Sequence, residues 1–232
     1  DILADLAKVQ MHAIQTSGNC IRNTTTDPFA GVSADEIEDT RPWCELIRQW
    51  STLHPEFAYL PRKFKIAVSG SSSDRAASQV HDIGLHLYHN EAGEMGFEVL
   101  VGGGLGRTPV IGKTVRQFLE PQELLSYLDA ILRVYNLNGR RDNKYKARIK
   151  ILVNAVGIDT FAEMVEAEWQ YSKGKELRLP EAEIERVKGF FKAPNYLPTA
   201  HSELTESDLE NTFSEHPQFA TWYRQNTRDH KQ

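Results

Sequence analysis

The sequence is poor in cysteine: Cys20 and Cys44 are the two among 232 residues, too few and too far apart for a disulfide framework or a zinc ribbon. They read as ordinary buried or half-buried thiols. No apolar run reaches the roughly 18 residues of a membrane-spanning helix. No basic segment followed by an apolar core marks the N-terminus, so the expected place of the chain is the cytoplasm. Positive charge is also in deficit, with 27 Lys and Arg against 32 Asp and Glu and a net charge of -5. That balance argues against a general nucleic-acid binder, because affinity for phosphate backbones comes from cations in excess. Any anion site must therefore be built from local clusters.

Several catalytic signatures are missing as well. His81, His86 and His89 lie in a strand-like region with no helical i, i+4 pair and no cysteine partner, so no metal site is expected. No Ser/His/Asp or Cys/His set stands out. The run GGGLG at 102–106 fails the dinucleotide fingerprint, because the last glycine position falls on Arg107, and it lacks the Lys-Ser/Thr of a P-loop. The chain opens on DILADL, already inside an apolar pattern and without methionine, and ends on RDHKQ. This reads as an excerpt from a longer protein.

What is present is an ordinary globular pattern, 40% hydrophobic. A helix is expected over 2–13, then a polar stretch, QTSGNCIRNTTTDPFAG. RPWCELIRQWSTL reads as a helix with Pro42 near its start and Trp43, Leu46, Ile47 and Trp50 in the core. FKIAV alternates as a strand, and IGLHLYH and GFEVLVGG read as a hairpin with a longer loop. Helices follow: LLSYLDAILRVY, KARIKILVNAVG with Gly157 as its cap, DTFAEMVEAEWQY opening at Asp159 or Thr160, and PEAEIERVKGFF. Residues from about 191 read as a linker, and 205–225 as one more helix. Strands before helices indicate an α+β fold, a mixed β-sheet with helices packed on it, over residues 1–190.

Four clusters could carry chemistry. In YLPRKFKIAVSG the alternation sends Lys63 and Lys65 to one strand face and Arg62, Phe64, Ile66 and Val68 to the other, with the two lysines starting roughly 7 Å apart. Two ammonium groups that close repel, so the pair belongs either in open water or around an anion. In SGNCIRN, Arg22 offers a rigid cationic fork suited to an oxyanion, or to a plain salt bridge. The Gly102–Gly104 backbone is open to close approach by a flat ligand or another strand, or is a flexible turn. GRRDNKYKARIK at 139–150 sets Arg140, Arg141, Lys144, Lys146, Arg148 and Lys150 against Asp142 alone. It is a solvated basic face or the neighbour of a polyanion.

TSGNCIRNTTTDPFAG, YLPRKFKIAVSG, HDIGLHL, GFEVLVGGGLGRTP and GRRDNKYKARIKIL, in this order, resemble the haemoprotein subunit of assimilatory sulfite reductases and the related nitrite reductases. The resemblance covers nearly the whole chain. It implies the nitrite/sulfite reductase sirohaem and 4Fe-4S fold, with sirohaem coupled to a [4Fe-4S] cluster as cofactors, and six-electron reduction of sulfite to sulfide. It further implies Arg22, Lys63 and Lys65 as catalytic residues at the substrate. Asn19, Asn23, Arg62, Gly102, Gly103, Gly104, Arg141, Asn143 and Lys146 follow as sirohaem contacts, Arg62 meeting a haem carboxylate or a neighbouring acid. Implied partners are sulfite or nitrite, a flavoprotein subunit or ferredoxin as electron donor, and the rest of the same enzyme. Residues 191–232 would then hold a linker and the start of a ferredoxin-like half-domain. The cluster spacings C-x5-C and C-x3-C are absent, so this chain alone is expected to be inactive. A nitrite reductase and a non-catalytic anion-binding module are the alternatives.

Overall fold

The computed structural model describes residues 1–192 and 205–227. Its centre is a five-stranded sheet of order β1-β2-β3-β4-β5, built from Ile21–Thr26, Phe64–Ser69, Ile83–His89, Met95–Val101 and Lys113–Leu119. The first three strands run parallel and the last three antiparallel, so the sheet is mixed. Eight helices accompany it: α1 (Ile2–Lys8), α2 (Arg41–Ser51), α3 (Leu124–Asn138), α4 (Ile149–Val156), α5 (Ile158–Trp169), α6 (Glu181–Lys188), α7 (Glu206–Glu215) and α8 (Pro217–Asn226) among the described residues.

Strand alternation decides which face is dry. Phe64, Ile66 and Val68, with Ile83, Leu85, Leu87, Phe97, Val99 and Val101, join the core, together with Trp43 and Ile47 of α2 and the long apolar stripe of α3. Trp43 meets Phe97 edge-on at 5.3 Å, and Phe64 lies 5.4 Å from Tyr135. Burying these aromatics holds α2 and α3 on the sheet.

Several expected boundaries move. The first helix spans Ile2–Lys8, not 2–13, because none of its residues is buried and Gln10 takes a positive φ of 60°. Within the stretch read as polar loop lies β1, an edge strand rich in β-branched Ile21, Thr24, Thr25 and Thr26. β5 was not expected either; its alternation, KTVRQFL, is interrupted by charge. Helix α4 begins at Ile149 because Lys144–Lys146 form a separate 3-10 turn, and α5 opens at Ile158, one residue early, after Gly157 at φ 88°. The single helix expected over 205–225 is two, divided at His216–Pro217, where proline starts a new helix. Part of the expected linker, 193–204, lies outside the described residues.

Candidate functional site

The register Ile66↔Ile83 brings the starts of β2 and β3 side by side. It sets Lys65 next to Asp82, whose Oδ2 accepts the Lys65 backbone N–H at 2.9 Å. The other carboxylate oxygen accepts two bonds from Arg148, at 3.1 Å from Nε and 2.7 Å from Nη2. Arg148 stands just before α4, so the chain folds its basic run back onto the mouth of β2. Asp82 is 1% exposed. Burial pushes its carboxyl up from the ordinary aspartate value, and the adjacent Arg148 guanidinium opposes that shift.

Two clefts share Lys63, Leu105 and Arg148. The smaller, about 250 Å³, is lined also by Lys65, Val80, His81, Asp82 and Gly106. The larger, about 540 Å³, is lined by Arg62, Lys63, Arg107, Lys144, Lys146, Arg148 and Lys150 with no acidic side chain among its lining residues. Lys63 titrates below an ordinary lysine, first because it is desolvated and then because Lys65, Arg148, Arg22 and Arg62 surround it with like charge. Such crowding costs free energy unless an anion joins it. Lys150 is buried and donates to Thr108 O at 2.5 Å and Leu105 O at 3.4 Å, tying down the loop between the clefts.

The expected residues divide into groups. Lys63 and Lys65 share the smaller cleft. Arg62, expected on the strand face opposite Lys63 and Lys65, lines the larger cleft beside Lys63, because the strand begins only at Phe64 and residues 61–62 form a bend. Lys146 lines the same cleft. Arg22 folds onto its own loop, donating to Gly18 O at 2.8 and 3.1 Å and to Thr16 O at 2.9 Å. With Asn23 it lines a separate cavity of about 430 Å³ between β1 and α2. Asn19 is exposed, and its carbonyl accepts Leu60 N–H at 2.9 Å. Arg141 donates to Tyr59 O and to Asn136, lining neither cleft, and Asn143 caps the turn at Tyr145. Gly102, Gly103 and Gly104 are buried against the chain itself. A Cβ there would meet Val153 at 3.2 Å, the Gln79 and His81 carbonyls at 2.5 Å, or the Arg148 guanidinium at 3.0 Å. Sequence reasoning overlooked Asp82 and Arg107 and gave His81 no role in an anion site, while Arg148 and Lys150 were counted in the basic run without a place. An acid opening a strand beside a lysine pair was the available signal for Asp82.

Residues 17–173 match the family model described as the nitrite and sulphite reductase 4Fe-4S domain. The chain belongs to this family. A protein named sulfite reductase [ferredoxin] 1 from Mycolicibacterium paratuberculosis is 34% identical over 170 residues, covering 73% of this chain and 30% of that protein. One named ferredoxin–nitrite reductase from Leptolyngbya laminosa is 31% identical over 171 residues, 72% of this chain and 33% of that protein. The structure of the Mycobacterium tuberculosis NirA protein aligns with TM-score 0.67 at 29% identity, covering 73% of this chain and 31% of that one. The family fold accounts for the mixed sheet with helices. The chain spans about a third of the length of the curated relatives it matches.

Proposed function

We propose that this chain supplies the anion-binding part of a sirohaem- and [4Fe-4S]-dependent reductase that converts sulfite to sulfide, drawing electrons from a ferredoxin or a flavoprotein subunit. The observation that carries the reading is the convergence of Lys63, Lys65 and Arg148 on one small cleft that opens beside a larger, acid-free cationic one. A small oxyanion fits the first, and a tetrapyrrole edged with carboxylates matches the donor set of the second. Arg62, Arg107, Lys144, Lys146 and Lys150 would hold those carboxylates. When bound, sirohaem would deliver electrons to the anion. Lys63 and Lys65 hold the oxyanion, stabilise charge that grows as oxygen leaves, and donate protons from their ammonium groups, a task that a lowered Lys63 favours. Arg22 would join them on turning away from the Gly18 and Thr16 carbonyls.

The cluster is a different case. Four thiolates are needed, and the chain has two cysteines. The Cys44 thiol is pushed up to about 12 by burial and reaches toward Thr25 O. These residues do not fit a cluster, so turnover by the isolated chain is not expected. Residues 191–232 would be a linker and the start of a ferredoxin-like half-domain, and no helix among the described residues is long and apolar enough to cross a membrane.

Nitrite is the second reading, favoured by relatives that carry that name. The test is the ratio of sulfite to nitrite reduction by the intact protein, with and without Lys63→Gln and Lys65→Gln. Sulfite preference lost in both variants supports the assignment. A strong nitrite preference moves the reaction to nitrite, and full activity in both variants removes the site. Anion binding with no tetrapyrrole affinity would favour a non-catalytic module.

A further inference from the structure

His81 belongs to the smaller cleft, yet nothing in the lysine-based account uses it. Its Nδ1 lies 2.8 Å from Ala77 O. A carbonyl only accepts, so Nδ1 carries the hydrogen and Nε2 is the nitrogen that gains or loses a proton. The ring is half-buried and lines the cleft with Lys63, Lys65 and Arg148. Its backbone is fixed from below, because Gly103 leaves no room for a Cβ against the His81 carbonyl at 2.5 Å.

We propose that His81 is the pH-responsive member of the anion site: protonated at Nε2, it adds a further positive charge to the cleft and tightens its hold on a small oxyanion. This rests on the anion-site reading above. Lys63 stands before β2 and Lys65 within it, both opposing protonation; Arg148 opposes it from the turn before α4. Asp82, the next residue, favours it. Asp74, whose carboxylate caps the Ser78 and Gln79 N–H groups of the turn beneath the ring, is a second acid that favours it. The loop residues Leu105 and Gly106 bring no charge. An anion bound in the cleft favours the further proton by its opposite charge. Binding and protonation are then coupled, and the coupling is reciprocal.

Nitrite is the suitable probe, since it remains a monoanion across the range in which a histidine titrates. Its dissociation constant is measured with the full 232-residue chain at acidic and alkaline ends of about pH 6 to 8, and the His81 imidazole is followed by NMR with and without nitrite. Affinity should fall about tenfold from the acidic to the alkaline end, the effect of one screened unit charge near contact, and nitrite should raise the His81 midpoint. His81→Gln and His81→Asn each keep an amide that can donate to Ala77 O but never take a charge. Both should bind nitrite with an affinity independent of pH, whereas His89→Gln, at the exposed end of β3, should behave like the parent. A His81 midpoint unmoved by nitrite, or an undiminished pH dependence in both His81 variants, overturns the inference while leaving the anion site standing. No nitrite binding by the folded parent chain at either pH removes the anion site and the inference together.

Discussion

At the scale of single residues the cationic cleft sets the expectations. Lys65 is exposed and Lys63 half-buried, so neutralising either should leave stability within about 0.5 kcal/mol. Turnover of the proposed reductase should nonetheless fall by about 10² or more, since charge demand peaks in the transition state. Thermal denaturation beside steady-state rates separates the two effects. Cys44 makes an independent check. Its thiol, pushed up by burial, should alkylate more slowly at mildly alkaline pH than in the unfolded chain, because only the thiolate reacts. Mass spectrometry of the alkylated protein reads this directly; rapid modification of the native chain would show that Cys44 is accessible.

At the scale of elements, two junctions hold the scaffold in place. Gly103 ends the passage out of β4 beneath residues 79–81. Gly103→Ala should cost about 1–3 kcal/mol in denaturant unfolding, as overpacking against backbone does. The second junction joins α3 to the turn after α5. Trp169 Nε1 donates to Ser126 Oγ at 2.9 Å, Ser126 donates to Glu123 at 2.6 Å, and Arg178 completes the carboxylate. Burial pushes Glu123 up, but the Ser126 hydroxyl, Arg178 and the Gly174 N–H together outweigh it, leaving its carboxyl below the ordinary glutamate value. A depressed carboxylate contributes stability that is present above its unfolded pKa and lost as pH falls through the folded one. Glu123→Gln should therefore destabilise the chain by about 1–3 kcal/mol near neutrality and flatten the acid limb of its stability curve. An unchanged acid limb would assign that limb to other carboxylates.

The same scale shows what was legible beforehand. α2 announced itself by the spacing of one buried face, and α3 and the β3–β4 hairpin by dense apolar runs, buried on nearly all sides in α3. β1 did not, because an edge strand of threonines buries little and shows little alternation. Lys65 was readable from the strand period, which holds from Phe64 onward; Lys63 and Arg62 precede the strand by one and two residues, so the period does not set their faces. Asp82 and Arg148 meet 66 positions apart in sequence, a pairing fixed by parallel register and by the turn before α4, neither of which local pattern reveals.

At the scale of the whole molecule the chain is a scaffold that gathers positive charge from an acidic sequence onto one mouth of its sheet. Membership of the nitrite and sulphite reductase family and the acid-free cleft together make sirohaem the ligand to test, and two cysteines leave the cluster without a seat. The most direct measurement is a spectroscopic titration of the full chain with sirohaem, repeated at raised salt and with Lys63→Gln combined with Lys146→Gln. The account predicts saturable binding that weakens with salt, as screened charge pairs do, and weakens further in the double variant. Binding of equal strength in parent and variant, or none in the folded parent chain, would contradict it.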